Sequence, residues 1–397
     1  MTASDPVVIA AAARTPLGRY LGDLSPLTAP ALGSRAIAAV IERTGLDPAH
    51  VDEVIMGCVL PAGHGQAPAR QAARAAGLPD ATGATTINKV CGSGMKAAML
   101  AHDLILAGSA DIVVAGGMES MSNAPYLLAK ARAGYRVGHD RILDHMMLDG
   151  LEDAYAQGRP MGDFGEATAQ AYGFTREEQD LYATTTLTRA RTAIESGAFA
   201  AEIVPVDVPA KGGALLIEHD EHAMKVSPDK IPHLKPAFRP DGTITAASAS
   251  ANADGAAALL LMRRSEAERR GLAVLAEIKG HATHSQEPAW YTTAPAPSIE
   301  KLLGKLGWSV EQVDLFEINE AFAVVPMAAA RTLGIPYDKL NVNGGACALG
   351  HPIGATGARL IVTLLHALKA HGLTRGVASL CIGGGEATSI GIEIPQL

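Results

Sequence analysis

Apolar positions along the chain recur with helical spacing and then with strand-like continuity, and they do so twice. Gly45–Gly57 (GLDPAHVDEVIMG) matches Gly307–Asn319 (GWSVEQVDLFEIN) at a constant offset of 262 (307 − 45). Just upstream, Ile37, Val40 and Ile41 match Ile299, Leu302 and Leu303, the i, i+3, i+4 spacing of an amphipathic helix. Each copy predicts helix, turn and strand. Further on, Ala110–Glu119 (ADIVVAGGME) matches Val377–Glu386 (VASLCIGGGE), in each case an apolar strand that runs into glycines and a glutamate. Helices are predicted before these strands, over 95–106 and 358–369, and each follows a loop of small residues, NKVCGSG or GHPIGATG.

Strands alternating with helices predict an α/β fold with mainly parallel sheets, and the internal match predicts two pseudo-duplicated halves packed in layers. The second half closes with a strand over 389–394. Its counterpart, over 256–262, comes only after a long excursion. The expected division is therefore 1–119 plus 248–271 for the N-terminal half, 120–247 for an inserted loop domain, and 272–397 for the C-terminal half. The insertion is rich in turns and charge but contains an amphipathic helix around 176–198, and it reads as a lid or substrate-binding excursion.

Composition narrows the function. With 33 Lys plus Arg against 41 Asp plus Glu, the net charge is −8, which argues against nucleic acid or an anionic membrane as partner. Charged residues make up only 19% of the chain, below the usual quarter, so part of the surface is expected to be covered in a homo-oligomer. The 42 glycines imply close backbone approach somewhere. Cys58, Cys91, Cys347 and Cys381 show neither CxxC nor zinc-site spacing, so reduced thiols and a cytoplasmic location are expected. Met1–Pro6 has no targeting character, and no apolar run is long enough to span a membrane.

Cys91 stands where a strand gives way to a helix. The helix N-terminus is expected to lower its thiol pKa, and Gly92 and Gly94 to let an acyl group approach the sulfur. Asn319, His351 and Cys381 stand in loops at the ends of matched elements, where α/β sheets collect ligands. Taken singly, each of these residues reads as packing or turn; Cys58 and Cys347 are read that way. Together they suit carbon–carbon bond formation between thioesters, which needs a nucleophilic thiol, a base for an α-proton and two oxyanion sites.

Across nearly its whole length, from Arg14-Thr15-Pro16 through GQAPARQ, the Cys91 loop, AGGMESMS, NEAFA, GGACALGHPIGATG and CIGGGE, the sequence resembles the thiolases. The resemblance implies a thiolase-like fold and ping-pong acyl transfer between coenzyme A and Cys91. His351 would activate the nucleophile, Asn319 would hold an oxyanion-hole water, and Cys381 would be the acid/base. The backbone N–H groups of Cys91 and Gly383 would form the second oxyanion hole. Met161, Leu234, Phe238, Ala249, Ser250, Ala321 and Phe322 would contact CoA or the acyl group. Coenzyme A and acyl-CoA would be substrates, no metal or cofactor would be needed, and the segment Pro125–Arg141 would pair dimers into a homotetramer. The chain departs from the family pattern at Pro160, where acetoacetyl-type members often carry histidine, at Ser248 of SAS, and in lacking an evident Arg upstream of LKPAF. A decarboxylating ketoacyl synthase and an inactive CoA-binding scaffold are the alternatives. The second acid/base cysteine and NEAFA count against the former, and the filled catalytic positions against the latter.

Overall fold

The computed structural model describes residues 5–395, so residues 1–4 of the stretch read above for targeting character lie outside it. Nine strands form one continuous path: β1 (Val7–Arg14), β2 (Glu53–Gly57), β3 (Gly83–Ile87), β4 (Ile112–Ser120), β5 (Ala253–Arg263), β6 (Ala276–Ser285), β7 (Leu315–Ile318), β8 (Arg375–Ile382) and β9 (Glu386–Glu393). Their spatial order is β7-β8-β9-β6-β1-β5-β4-β2-β3, and the short strand Gly18–Arg19 pairs with β5 off this path. From the β1/β6 seam outward the two halves repeat one plan: β5 corresponds to β9, β4 to β8, and β2 to β7. A single parallel bridge from Phe316 to Leu340 takes the place of β3 in the second half. The seam itself is two residue pairs, Val8 with Glu277 and Ile9 with Ala276.

The expectation of mainly parallel sheets is corrected. Only β2/β3, β2/β4 and β7/β8 run parallel, whereas β1/β5, β4/β5, β6/β9, β8/β9 and the seam are antiparallel. The reason is local in the second half, where Gly383–Gly385 turns β8 directly back as β9, and a hairpin makes only an antiparallel pair. Strands buried on both faces carry the same apolar pattern whichever way they run.

Helices α1 (Ala29–Thr44), α2 (Ser93–Ala107), α3 (Gly162–Tyr172), α4 (Arg176–Glu195), α5 (Pro295–Leu306), α6 (Val324–Leu333) and α7 (Ile353–His371) complete the layers. Gly45 and Gly307, which open the matched segments, close α1 and α5 at φ +63° and +67°, conformations a side chain would strain. Side chains alternate between faces: Ala256, Ala258 and Leu260 of β5 pack toward α1, whereas Ala257, Leu259 and Leu261 pack toward α2 and α7. These two helices form the middle layer and touch strands of both halves. α7 is long and apolar enough to pass for a membrane span, with a mean hydropathy of 1.2, yet 83% of that stretch is buried as the central core helix.

The middle helices meet backbone to backbone. A β-carbon on Gly94 would lie 2.7 Å from the Ala358 nitrogen, and one on Gly357 would lie 2.3 Å from the Met95 nitrogen. The insertion contributes α3, which packs on α6 and on Pro288–Thr293, α4, which packs on Ala346–Leu349, and the hairpin Val206–Ala210/Gly213–Ile217, which joins the core beneath α1.

Candidate active site

Cys91 lies two residues ahead of α2, in a turn that the preceding residues hold under strain. Val90 adopts φ +47°, a left-handed conformation that is costly for a β-branched residue. Three hydrogen bonds keep it there: Val90 N–H to Asn88 Oδ1 (2.9 Å), Lys89 N–H to Ser93 Oγ (2.8 Å) and Ser93 O–H to the Val90 carbonyl (2.6 Å). An ion pair from Lys89 to Glu386 ties the turn to β9. Burial raises the Cys91 thiol to about 11, against the opposing pull of the Gly383 and Cys91 backbone N–H groups on its sulfur. The expectation of a lowered pKa is thus corrected: desolvation outweighs the helix terminus. Gly92 does not make room for an acyl group either, since a β-carbon there would meet Ile382 Cδ1 at 2.3 Å.

His351 occupies the equivalent position ahead of α7, also two residues before the helix begins. Its Nδ1 lies 2.6 Å from Thr356 Oγ1, and that hydroxyl donates its one proton to the Pro352 carbonyl at 2.9 Å. Nδ1 must therefore carry the imidazole proton, which leaves Nε2 with its lone pair. Nε2 is buried and has no hydrogen-bond partner among the described residues. Burial, then the charge of Arg359, lowers the ring to about 3, so the imidazole is neutral.

Cys91 and His351 line one cavity of about 300 Å³, together with Met161, Ser250, Tyr291, Ala321, Phe322 and Gly383. A hollow of about 710 Å³ between α4 and α6 is larger but contains neither thiol nor imidazole. Cys381, at the end of β8, is fully buried behind the cavity wall. Burial raises its thiol well above the usual range, and the Cys91 sulfur is the next cause, so the two thiols interact. Asn319 is fully buried at the end of β7, and neither atom of its side-chain amide has a partner among the described residues.

The remaining sequence-predicted residues fall into two groups. Ser250 N–H donates to the Ala321 carbonyl at 3.0 Å, Ala249 bridges to Phe322, and Phe238 packs edge-to-face on Phe322 at 5.6 Å. Ala249 and Phe238 thereby back the cavity wall rather than line it. Leu234 lines a separate hollow with Leu187, Ala247 and Cys347, and Arg176 on α4 donates to its carbonyl at 2.8 Å.

Two buried carboxylates were not singled out from the sequence. Glu119, at the end of β4, accepts N–H groups from Val59 (3.0 Å), Leu60 (3.1 Å) and Gly354 (2.8 Å), and faces the Cys58 sulfur at 3.7 Å. Burial raises it to about 7. It joins the end of the first half to the turn that carries His351. Glu320 likewise accepts from Tyr182 (2.9 Å), Asn341 (3.0 Å) and the Cys347 N–H (3.0 Å), holding the loop after Asn319. A glutamate at the end of an apolar strand is the available sequence signal for Glu119, and a glutamate just beyond a strand end that for Glu320.

Residues 7–265 match the family model described as the N-terminal domain of thiolase, and residues 272–394 match the C-terminal domain. The chain belongs to the thiolase family. Among similar thiolases, acetyl-CoA acetyltransferase 2 of Arabidopsis thaliana is 50% identical over 391 residues, 98% of this chain and 97% of that protein. The crystal structure of the Bacillus anthracis acetyl-CoA acetyltransferase superposes with a TM-score of 0.96 at 42% identity, covering all of both chains. A thiolase of Ascaris suum solved in complex with coenzyme A superposes at 0.93 with 41% identity, covering 98% of this chain and all of that one.

Proposed function

We propose that this thiolase is an acetyl-CoA C-acyltransferase, joining acetyl-CoA units by Claisen condensation and cleaving 3-oxoacyl-CoA with free CoA by a ping-pong route. The reading rests on one observation: Cys91 and Gly383 line the same cavity as His351, whose buried Nε2 has no partner among the described residues.

In the first half-reaction His351 Nε2 accepts the Cys91 proton as the sulfur attacks the thioester carbonyl. The resulting oxyanion sits against the Cys91 and Gly383 N–H groups, CoA leaves with the proton from His351, and Cys91 remains acylated. In the second, Cys381 passes its thiol proton to His351 Nε2 and, as thiolate, removes an α-proton from acetyl-CoA. The enolate oxygen is held by the Nε2–H so formed and a water on Asn319. The carbanion attacks the acyl carbon, and Cys91 leaves as thiolate and recovers its proton from His351 Nε2, with Cys381 again a thiol. Thiolysis is the reverse. Each step moves only protons and acyl groups, so the chemistry asks for no metal or organic cofactor, and coenzyme A is a substrate.

Met161, Ser250, Ala321 and Phe322 border the path of the pantetheine and acyl group, with Phe238 and Ala249 supporting them. The division into two halves and an insertion, a cytoplasmic location and a homotetramer belong to the same reading. Exposed Tyr126, Leu128 and Val137 on the Pro125–Arg141 segment support the last. A decarboxylating synthase has no use for a second thiol beside the nucleophile, and an inactive scaffold none for a tautomer fixed on His351.

The test combines intact-protein mass spectrometry with a thiolysis series over 3-oxoacyl-CoA chain lengths. Wild type incubated with acetyl-CoA gains one acetyl group; Cys91→Ala gains none and is inactive in both directions. Cys381→Ser still becomes acetylated but loses condensation by several orders of magnitude. An acetylated Cys91→Ala protein would overturn the nucleophile assignment.

A further inference from the structure

Tyr291 contributes a phenol ring to the reaction cavity from outside the NEAFA loop, and neither the sequence motifs nor the mechanism uses it. Its ring is buried, packs edge-to-face on Phe164 at 6.2 Å, and lines the cavity with Cys91, Met161 and Phe322. Its hydroxyl donates to the Met161 carbonyl at 3.0 Å. The segment that carries it, Pro288–Thr293, is fixed at both sides. Gln286 N–H donates to the Gly385 carbonyl at 2.8 Å, and the Thr292 and Thr168 hydroxyls meet at 2.5 Å. Burial raises the phenol well above its usual range, with the Cys381 and Cys91 thiols the next causes.

We propose that Tyr291 is the specificity-determining wall of the acyl pocket, restricting the group carried on Cys91 to short chains. This rests on the acyl-transfer reading above. An acyl group on the Cys91 sulfur lies against this ring. To admit further methylenes the ring must swing away, which breaks the bond to the Met161 carbonyl and strips the buried Tyr291 hydroxyl of its partner. A rigid wall of this kind discriminates by steric exclusion, where an adaptable one would repack around the longer chain. The same bond couples the wall to Met161, whose side chain also borders the cavity, so the two move together.

The experiment compares kcat/KM for thiolysis of 3-oxohexanoyl-CoA and acetoacetyl-CoA in wild type, Tyr291→Phe and Tyr291→Ala. The expected result is a preference for acetoacetyl-CoA in wild type. The 3-oxohexanoyl to acetoacetyl ratio should then rise at least tenfold in Tyr291→Ala, mainly through KM for the longer substrate, and severalfold in Tyr291→Phe, which keeps the ring and loses only the anchor. A purely structural role would lower kcat for both substrates alike and leave the ratio unchanged. Tyr291→Phe removes a single oxygen, so it keeps the test decisive if Tyr291→Ala does not fold. A ratio that stays within twofold of wild type, or a wild type that prefers the longer substrate, would overturn the proposal while leaving acetylation of Cys91 intact. Failure of wild type to acetylate at all would instead overturn the acyl-transfer reading, and this inference with it.

Discussion

The turns ahead of α2 and α7 occupy equivalent positions in the two halves, yet one carries a thiol and the other an imidazole. Cys91 and His351 each stand two residues before their helix begins. What differs is how each turn is completed. Cys91 sits behind a strained Val90, and its turn is tied by the Lys89–Glu386 ion pair to the other half. His351 is oriented within its own turn by Thr356 and Pro352, while the neighbouring Gly354 N–H is bound by Glu119 of the other half. Each half finishes the other's turn, so the duplicated scaffold supplies two platforms and the chemistry lies in what was changed between them.

Exchanging the two residues would probe that asymmetry most severely. In Cys91→His combined with His351→Cys both functional groups remain, but the N–H donors stay at position 91 and the Thr356 acceptor at 351. Acyl transfer is expected to fall at least about 10⁴-fold, as when a nucleophile is deleted, with no acetyl-enzyme by mass spectrometry. Substantial activity would mean that the turns are interchangeable.

The next largest effect concerns the contact that sets the spacing of the two platforms. In Gly357→Ala the new methyl would lie 2.3 Å from the Met95 nitrogen, so α2 and α7 must separate. Overpacking of this kind costs about 1–3 kcal/mol, and more against backbone. The melting temperature by calorimetry should fall by several degrees, and an unchanged value would show that the middle layer yields freely.

Thr356→Val leaves the His351 turn intact but removes the acceptor that fixes the tautomer. The expected outcome is a drop in kcat of about ten- to a hundredfold, corresponding to about 1–3 kcal/mol for a stranded polar group, with KM little altered. Steady-state kinetics that show equal losses in kcat and KM would place the effect on binding instead.

The mildest effect is on acid stability. His351 is held at about 3 and His366 at about 4, both mainly by burial and both below the ordinary 6.5. Neutral imidazoles therefore contribute stability that is complete above pH 6.5 and is lost as pH falls toward those folded values. Each adds a slope approaching 1.4 kcal/mol per pH unit within that window. Urea unfolding at pH 7, 6 and 5 should show the loss, and His366→Asn should make the decline shallower.

Much of this was legible in the sequence because the repeat is written in local signals. Gly45 and Gly307 mark helix ends, and the apolar runs that become β4 and β8 end in glycines and a glutamate. The four positions proposed as catalytic came from the resemblance. What stayed hidden depends on contacts across the fold. Strand direction is not encoded in a pattern buried on both faces. The Cys91 motif announces a helix start but not the burial that outweighs it. Leu234 looks like its neighbours in LKPAF but lines a hollow apart from the Cys91 cavity. Glu119 draws its partners from residues 59, 60 and 354, and Tyr291 lies in a stretch with no motif at all.

The pairing of β1 with β5, Val7 opposite Arg263, has a consequence for how the chain is made. A ribosome releases β1 first and its partner only after the whole insertion, so the centre of the first sheet stays open through most of synthesis, and closing it brings together residues far apart in the chain. Cys91 emerges early, before the strands that will cover it. Until α7 arrives to lie across α2, the proposed nucleophile is an ordinary, solvated thiol on an unfinished surface. Its chemistry begins only when the last quarter of the polypeptide has been delivered.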